Sequence, residues 1–224
     1  METNLKIKIN TMFQMLDDLI DSKEYNQIKD YAFNIWKETG KFPHFILAGV
    51  GKNWYICEKV EKTFISMGLK CTALDCTHAL HGDLGLITLT DEPKIIIFIS
   101  KSGTTEELIK LVKICNYLKN ENRIKNSLFV SFYLNVEAAE KYNDLYDICL
   151  HPDITKYNGM HLSEFDSRNL VPSLSINIMQ LTLDSLGVAL FEADKKLIEN
   201  YKYNHLAGNN GKILGGDKII NSIK

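Results

Sequence analysis

Residues 94 to 105 read Lys-Ile-Ile-Ile-Phe-Ile-Ser-Lys-Ser-Gly-Thr-Thr, and Leu108, Leu111, Val112 and Cys115 follow at helical spacing. The apolar run 95–99 is continuous rather than alternating, the pattern of a strand covered on both faces. A strand that passes through a Ser/Gly/Thr turn into a helix is half of a β-α-β unit. The alternation recurs: β-rich runs at 45–50, 71–75, 127–134 and 146–150 are likewise set between stretches of helical period. The expectation is an α/β domain, a five-stranded parallel sheet flanked by helices, with 94–100 in mid-sheet.

Outward from the sheet, Met12, Met15, Leu16, Leu19 and Ile20 predict one helix, and Tyr25, Ile28, Tyr31, Ile35 and Trp36 a second that ends at Gly40. Pro172 is placed at the first turn of a long apolar helix reaching about Glu192, where its missing N–H costs nothing. The apolar faces of that helix are broad enough to predict a contact between copies of the chain, a dimer or a tetramer. Without repeats or a Pro/Gly/Ser linker, the 224 residues read as a single domain: helices in 1–40, a motif-bearing core in 45–212 and a tail in 213–224.

Composition narrows the function. With 45% hydrophobic residues the chain has enough material for a sizeable core. Its 26 Lys plus Arg balance 28 Asp plus Glu for a net charge of −2, which gives no electrostatic case for nucleic acid or an anionic membrane. The longest uninterrupted apolar run, 95–99, is far short of the roughly 20 residues a membrane span needs. Residues 1–11 lack the apolar core of a secretory signal, so a cytoplasmic protein is expected. Five cysteines, an odd number in mostly apolar settings, read as reduced structural thiols. Cys71 and Cys76 with His78 and His81 lack the spacing of a zinc site, so no metal is expected.

The chemistry concentrates in the turns. Ser100, Ser102, Gly103, Thr104 and Thr105 bring hydroxyls and free amides to a helix N-terminus at the carboxyl end of a central strand, where open α/β sheets bind ligands. One hydroxyl suffices for a helix cap, so four hydroxyls in six residues favour a phosphate cradle. Gly49-Val50-Gly51-Lys52 lacks the P-loop spacing, but a lysine set against the helix dipole fits a neighbouring oxyanion. His81-Gly82-Asp83-Leu84-Gly85 reads equally as a capped loop or a site segment. On their own, Glu164 with Asp166, and His205 in a Gly/Asn-rich stretch, read as loop residues.

Together these segments resemble the SIS (sugar isomerase) domain, and within it the D-arabinose 5-phosphate isomerases. The family's Gly-x-Gly-Lys turn falls on 49–52, its His-Gly-Asp-Leu-Gly-Met-Ile-Thr segment on 81–88 with Leu86 for Met, and its phosphate loop on 100–105. The start of its Pro-led helix falls on 171–175 with Asp184 further along, its upstream glutamate on Glu164, and its terminal His-to-Lys motif on 205–212. Departures are Thr104 in place of an acid, unless Glu106 or Glu107 substitutes, Leu206 in place of proline and Asn210 in place of an aliphatic residue. The CBS modules that often follow the domain are not expected.

The resemblance implies a flavodoxin-like three-layer fold, a sugar phosphate ligand and an aldose–ketose isomerisation without a cofactor. It implies Glu164 and His205 as the acid/base pair and Lys52 as oxyanion stabiliser. Gly51, Ser100, Ser102, Gly103, Thr104 and Thr105 would hold the phosphate, and His81 would shape the sugar pocket. The substrate pair implied is D-ribulose 5-phosphate and D-arabinose 5-phosphate. Alternatives are an isomerase of six- or seven-carbon sugar phosphates, and a non-catalytic phosphosugar-binding protein.

Overall fold

The computed structural model describes residues 2–134, 140–152, 164–165, 171, 173–206, 208–213 and 215–223. Helices α1 (Glu2–Ile20) and α2 (Lys23–Thr39) lead into β1 (His44–Gly49), α3 (Lys52–Ser66) and β2 (Cys71–Asp75). A short helix α4 (Cys76–His78), a π-helical turn (Ala79–Asp83) and α5 (Gly85–Thr88) connect to β3 (Lys94–Ser100) and α6 (Glu106–Asn120). Then come β4 (Ser127–Tyr133), β5 (Ile148–Leu150), and the helices α7 (Leu174–Ala193), α8 (Lys195–Asn204), α9 (Asn209–Ile213) and α10 (Gly216–Ile223).

All five strands are parallel, in the order β2-β1-β3-β4-β5, and β3 lies in the middle with all seven residues buried. Alternate residues serve two cores. Phe45, Leu47, Ile95, Ile97, Val130 and Phe132 face a layer built from α1, α2, α3 and α7. Ile46, Ala48, Ile96, Phe98 and Phe129 face the layer of α4, α5 and α6. This three-layer arrangement is what a continuous apolar run at 95–99 requires, because each face must be covered separately.

Local chemistry sets the helix ends. Ser22 accepts from the Tyr25 amide at 3.2 Å to start α2, and Gly40 at φ 73° donates to the Trp36 carbonyl at 2.8 Å to end it. The strand expected at 146–150 is shorter, Ile148–Leu150, because a 3-10 turn at Asn143–Leu145 runs up to Tyr146. The expected tail 213–224 is largely helical, in α10. Pro172 lies outside the described residues, and α7 begins at Leu174.

The long apolar helix is long and apolar enough to cross a membrane by length and composition alone, but half of that stretch is buried inside the domain. Its Leu174, Ile178, Met179, Leu183, Leu186 and Leu190 belong to the core shared with α1, α2 and α3. Each such side chain contributes about 1.5–3 kcal/mol by leaving water. The apolar breadth that the sequence suggests for a contact between copies is thus largely used within the chain. Gly187 permits the close approach, since a Cβ there would lie 2.5 Å from the Phe64 ring and 2.8 Å from Met67 on the α3 side.

Candidate phosphosugar site

The strand order reverses between β1 and β3: β1 leads into α3 on one face of the sheet, while β3 leads into α6 on the other. Such a divergence opens a crevice at the carboxyl ends of the two strands. Ala48 pairs with Phe98, so the 49–52 turn and the 100–105 loop stand side by side at that crevice. The sequence thus brings Gly51, Lys52 and the serine/threonine loop to one sheet edge.

Gly49 and Gly51 fit the first turn for different reasons. A Cβ on Gly49 would sit 2.9 Å from the Asn53 backbone and 3.0 Å from Cys57 Sγ, whereas Gly51 adopts φ 59° and caps α3 without a side chain. Lys52, the first residue of α3, is exposed. His81 is also exposed, in the π-helical turn that follows β2 and α4, where Gly82 takes φ 135°. The two cysteines and two histidines of that region are not gathered: Cys71 and Cys76 are buried, while His78 and His81 are exposed. Burial pushes the Cys76 thiol up to about 12. No group of three potential metal ligands comes together among the described residues.

The 100–105 loop is internally braced. Ser100 Oγ accepts from the Gly103 amide at 3.0 Å and lies 3.2 Å from Thr105 Oγ1, and Ser102 Oγ accepts from the Thr104 amide at 3.3 Å. Thr105, at the N-cap of α6, accepts none of the first-turn amides with its side chain, which leaves them facing the crevice. Glu106 and Glu107 complement the helix dipole there. Thr104 is exposed and supplies no charge. Gly103 is buried at φ 70°, over the ring of Tyr133.

Glu164 is fully buried, and its carboxylate is saturated with donors. Oε2 accepts from the amides of Ser173 at 2.5 Å and Leu174 at 2.9 Å, which fixes it across the N-terminus of α7. Oε1 accepts from the Ser175 hydroxyl and pairs with the Lys101 ammonium at 2.8 Å. Burial alone would push this carboxyl up, but Lys101, the Ser173 amide and the Ser175 hydroxyl outweigh it and hold the group below the ordinary carboxylate range. The Lys8 ammonium of α1 meets the Glu164 backbone carbonyl at 2.5 Å. The sequence reading assigns no role to Lys101 or to Lys8. The place of Lys101 between the two serines is the one signal that marks it.

His205 lies elsewhere in the same chain. It caps α8, donates through Nδ1–H to the Tyr201 carbonyl at 3.0 Å, and stacks on the Tyr201 ring at 4.0 Å. The adjacent Asn204 donates to the carbonyl of Ser66, the last residue of α3, at 3.2 Å. Lys52 opens that helix, and the 14 steps between them span about 21 Å at 1.5 Å each. His205 therefore belongs to the amino edge of the sheet, opposite the crevice, and is a stacked helix cap rather than the bare loop residue that its sequence suggests.

Beneath the loop lies a support that the sequence does not announce. Tyr133 stacks on His151, with ring centroids 5.3 Å apart, and His151 Nε2 shares a 2.8 Å hydrogen bond with Ser131 Oγ. Tyr133 and Tyr146 share a buried hydroxyl contact. Burial, against a smaller upward pull from Glu24, holds the His151 imidazole down at about 4. Between pH 6.5 and 4 the unfolded chain therefore takes up a proton that the folded one refuses, so this residue's contribution is intact above pH 6.5 and lost as pH falls. Urea midpoints of the parent should fall across that window, and His151→Gln should flatten the slope. An equal slope in both proteins would rule the assignment out.

No family model matches the chain. The arabinose 5-phosphate isomerase KpsF of Escherichia coli O6:H1 is 27% identical over 202 residues, covering 90% of this chain and 54% of the relative, so the chain spans about half the length of that protein. Among solved structures, an E. coli CFT073 protein in complex with arabinose 5-phosphate superimposes with a TM-score of 0.63 at 25% identity, over 86% of this chain and 89% of the other. The tagatose-6-phosphate ketose/aldose isomerase of E. coli shares the fold at a TM-score of 0.57 and 15% identity, over 96% of this chain and 53% of that one. The chain thus has the fold of the SIS, or sugar isomerase, domain, and its likeness in sequence is to arabinose 5-phosphate isomerases.

Proposed function

We infer that this chain is a sugar-phosphate isomerase that interconverts D-ribulose 5-phosphate and D-arabinose 5-phosphate through an enediolate. The observation that carries the reading is the hydroxyl-rich loop leaving β3 at the topological switch point, beside the Gly51-Lys52 turn. Amides at a helix start, hydroxyls and a neighbouring ammonium match a phosphate monoester and the oxyanion of a sugar carbonyl.

The isomerisation moves a proton between C2 of the aldose and C1 of the ketose, while a second proton is lost from the C2 hydroxyl of the aldose and gained by its C1 carbonyl oxygen. Glu164 is assigned the carbon proton, His205 the oxygen protons or ring opening, and Lys52 the developing negative charge on the enediolate. Phosphate held by Ser100, Ser102 and Thr105 anchors the substrate remote from the reacting carbons, so that binding energy orients them. His205 stands too far from Lys52 in one chain to share a substrate of pentose size. In this reading the imidazole is contributed by a second copy, which makes assembly a condition of turnover.

Proton NMR of ribulose 5-phosphate with purified protein tests the reaction: appearance of arabinose 5-phosphate supports it, and an unchanged spectrum at high enzyme concentration sinks it. Ser102→Ala and Thr105→Ala should each raise KM or Kd about ten-fold or more without unfolding the protein, as expected for the loss of a hydrogen bond to a charged group. Unchanged affinity in both would reduce the loop to a helix cap. Thr104, where the resembled enzymes carry an acid, favours one second reading, a phosphosugar-binding protein without turnover. Binding of arabinose 5-phosphate with no conversion would select it.

A further inference from the structure

We propose that Lys101 is a positioning latch between the phosphate loop and Glu164: its ammonium holds the carboxylate idle until a phosphate seats in the loop and draws it away. This deepens the phosphosugar reading and rests on it. Lys101 belongs to the anion-binding loop, yet its ammonium is turned to Glu164 Oε1 at 2.8 Å. The two partners differ in freedom, since the Lys101 side chain is 32% exposed and the Glu164 side chain fully buried. The lysine can swing while the glutamate is fixed by α7.

The two carboxylate oxygens are also unequal. Oε2 is committed to the Ser173 and Leu174 amides, so it stays bound whatever Lys101 does. Oε1 has the Lys101 ammonium and the Ser175 hydroxyl. A phosphate dianion within reach of the same ammonium competes for it with more charge than a single carboxylate offers. Once Lys101 leaves, Oε1 keeps one neutral donor in a buried setting, and both changes raise its affinity for a proton. The oxygen that Lys101 covers is thereby the one prepared to accept a proton from carbon.

Among the described residues, the other charged group in contact with this glutamate is Lys8 of α1, whose ammonium lies on the Glu164 carbonyl at 2.5 Å and the Phe165 carbonyl at 3.3 Å. The start of α7 adds the Ser173 and Ser175 hydroxyls and the helix amides. None of these belongs to the phosphate loop. The charge of a bound dianion raises a nearby carboxyl by itself, and a static ion pair would show that rise equally with and without Lys101, so the part of the response that is lost with Lys101 is the part the latch carries.

The test uses full-length protein carrying 13C at its glutamate carboxyls, with the Glu164 signal assigned by its loss in Glu164→Gln. Saturating inorganic phosphate should raise the Glu164 titration midpoint in the parent by about one pH unit or more. In Lys101→Met the midpoint should already be raised without phosphate and should move by clearly less with it than in the parent; an equal phosphate-driven rise in both proteins overturns the latch. Lys101→Gln gives the same readout should the methionine variant lose its dispersed spectrum. In turnover, the acidic limb of the kcat profile should move to higher pH in these variants. An unchanged Glu164 midpoint in the parent, while the Gly103 and Thr104 amides shift with phosphate, overturns the latch and leaves the cradle intact. Unshifted Gly103 and Thr104 amides overturn the cradle, and the latch with it.

Discussion

His205→Ala is expected to lower kcat by about 10²- to 10⁴-fold, the usual size of a general acid/base contribution, and to leave phosphosugar affinity within a few-fold of the parent. The geometry adds a sharper expectation. Asn204 is tied to Ser66 at the far end of α3 from Lys52, so a catalytic His205 must serve the crevice of another copy. Mixing inactive Lys52→Ala with inactive His205→Ala should then restore activity, to about a quarter of the parent for a dimer that exchanges subunits at random. Full turnover by His205→Ala alone would show that the terminal motif, altered at Leu206 and Asn210, delivers no imidazole. Two inactive variants that fail to complement, with exchange of subunits demonstrated, would remove the shared site.

The second large effect is expected at Gly103. Its φ of 70° disfavours any side chain, and a Cβ would sit 2.6 Å from Tyr133 Cδ2 and 3.0 Å from Cγ. Tyr133 cannot retreat cheaply, because it is fully buried, stacked on His151 and bonded to Tyr146. Gly103→Ala should therefore cost about 2–4 kcal/mol in stability, combining backbone strain with overpacking, and should weaken phosphate binding at least about ten-fold as the loop lifts. Gly51→Ala is the control: its φ is 59°, but nothing lies within 4 Å of the added carbon, so strain acts without a clash. Equal urea midpoints for Gly103→Ala and the parent would show that the loop does not rest on Tyr133.

The sheet was legible because its signals are local. The run at 95–99 is continuous, Gly40 marks the end of α2, and the 100–105 loop follows β3 directly in sequence. Less was legible where tertiary contacts decide. Tyr146 reads as the first residue of a strand, but its hydroxyl turns inward to Tyr133 and pairing begins only at Ile148. The apolar surface of α7 reads as an interface because no periodicity in a single helix reveals that three others will cover it. The Lys101 to Glu164 pair joins positions 63 apart, and nothing local to either says that they meet; Lys8 lies 156 residues from Glu164. His205 has a sequence suited to a loop, yet Tyr201 one helical turn earlier offers a ring to stack on, and that pairing sets its place.

The contact between Lys8 and the Glu164 carbonyl has a bearing on how the chain acquires its shape during synthesis. Helix α1 leaves the ribosome well before the helix that covers Met12, Met15 and Leu19, which is made some 150 residues later, on the order of 10 s at ordinary elongation rates. Meanwhile the parallel strands pair across long separations, which is intrinsically slow. An amphipathic helix left waiting this long is an available client for holdase chaperones. Glu164, clamped between a residue of α1, a mid-chain loop and the start of α7, takes up its position only when these distant segments close together, so the setting of this carboxylate is among the last features of the domain to form.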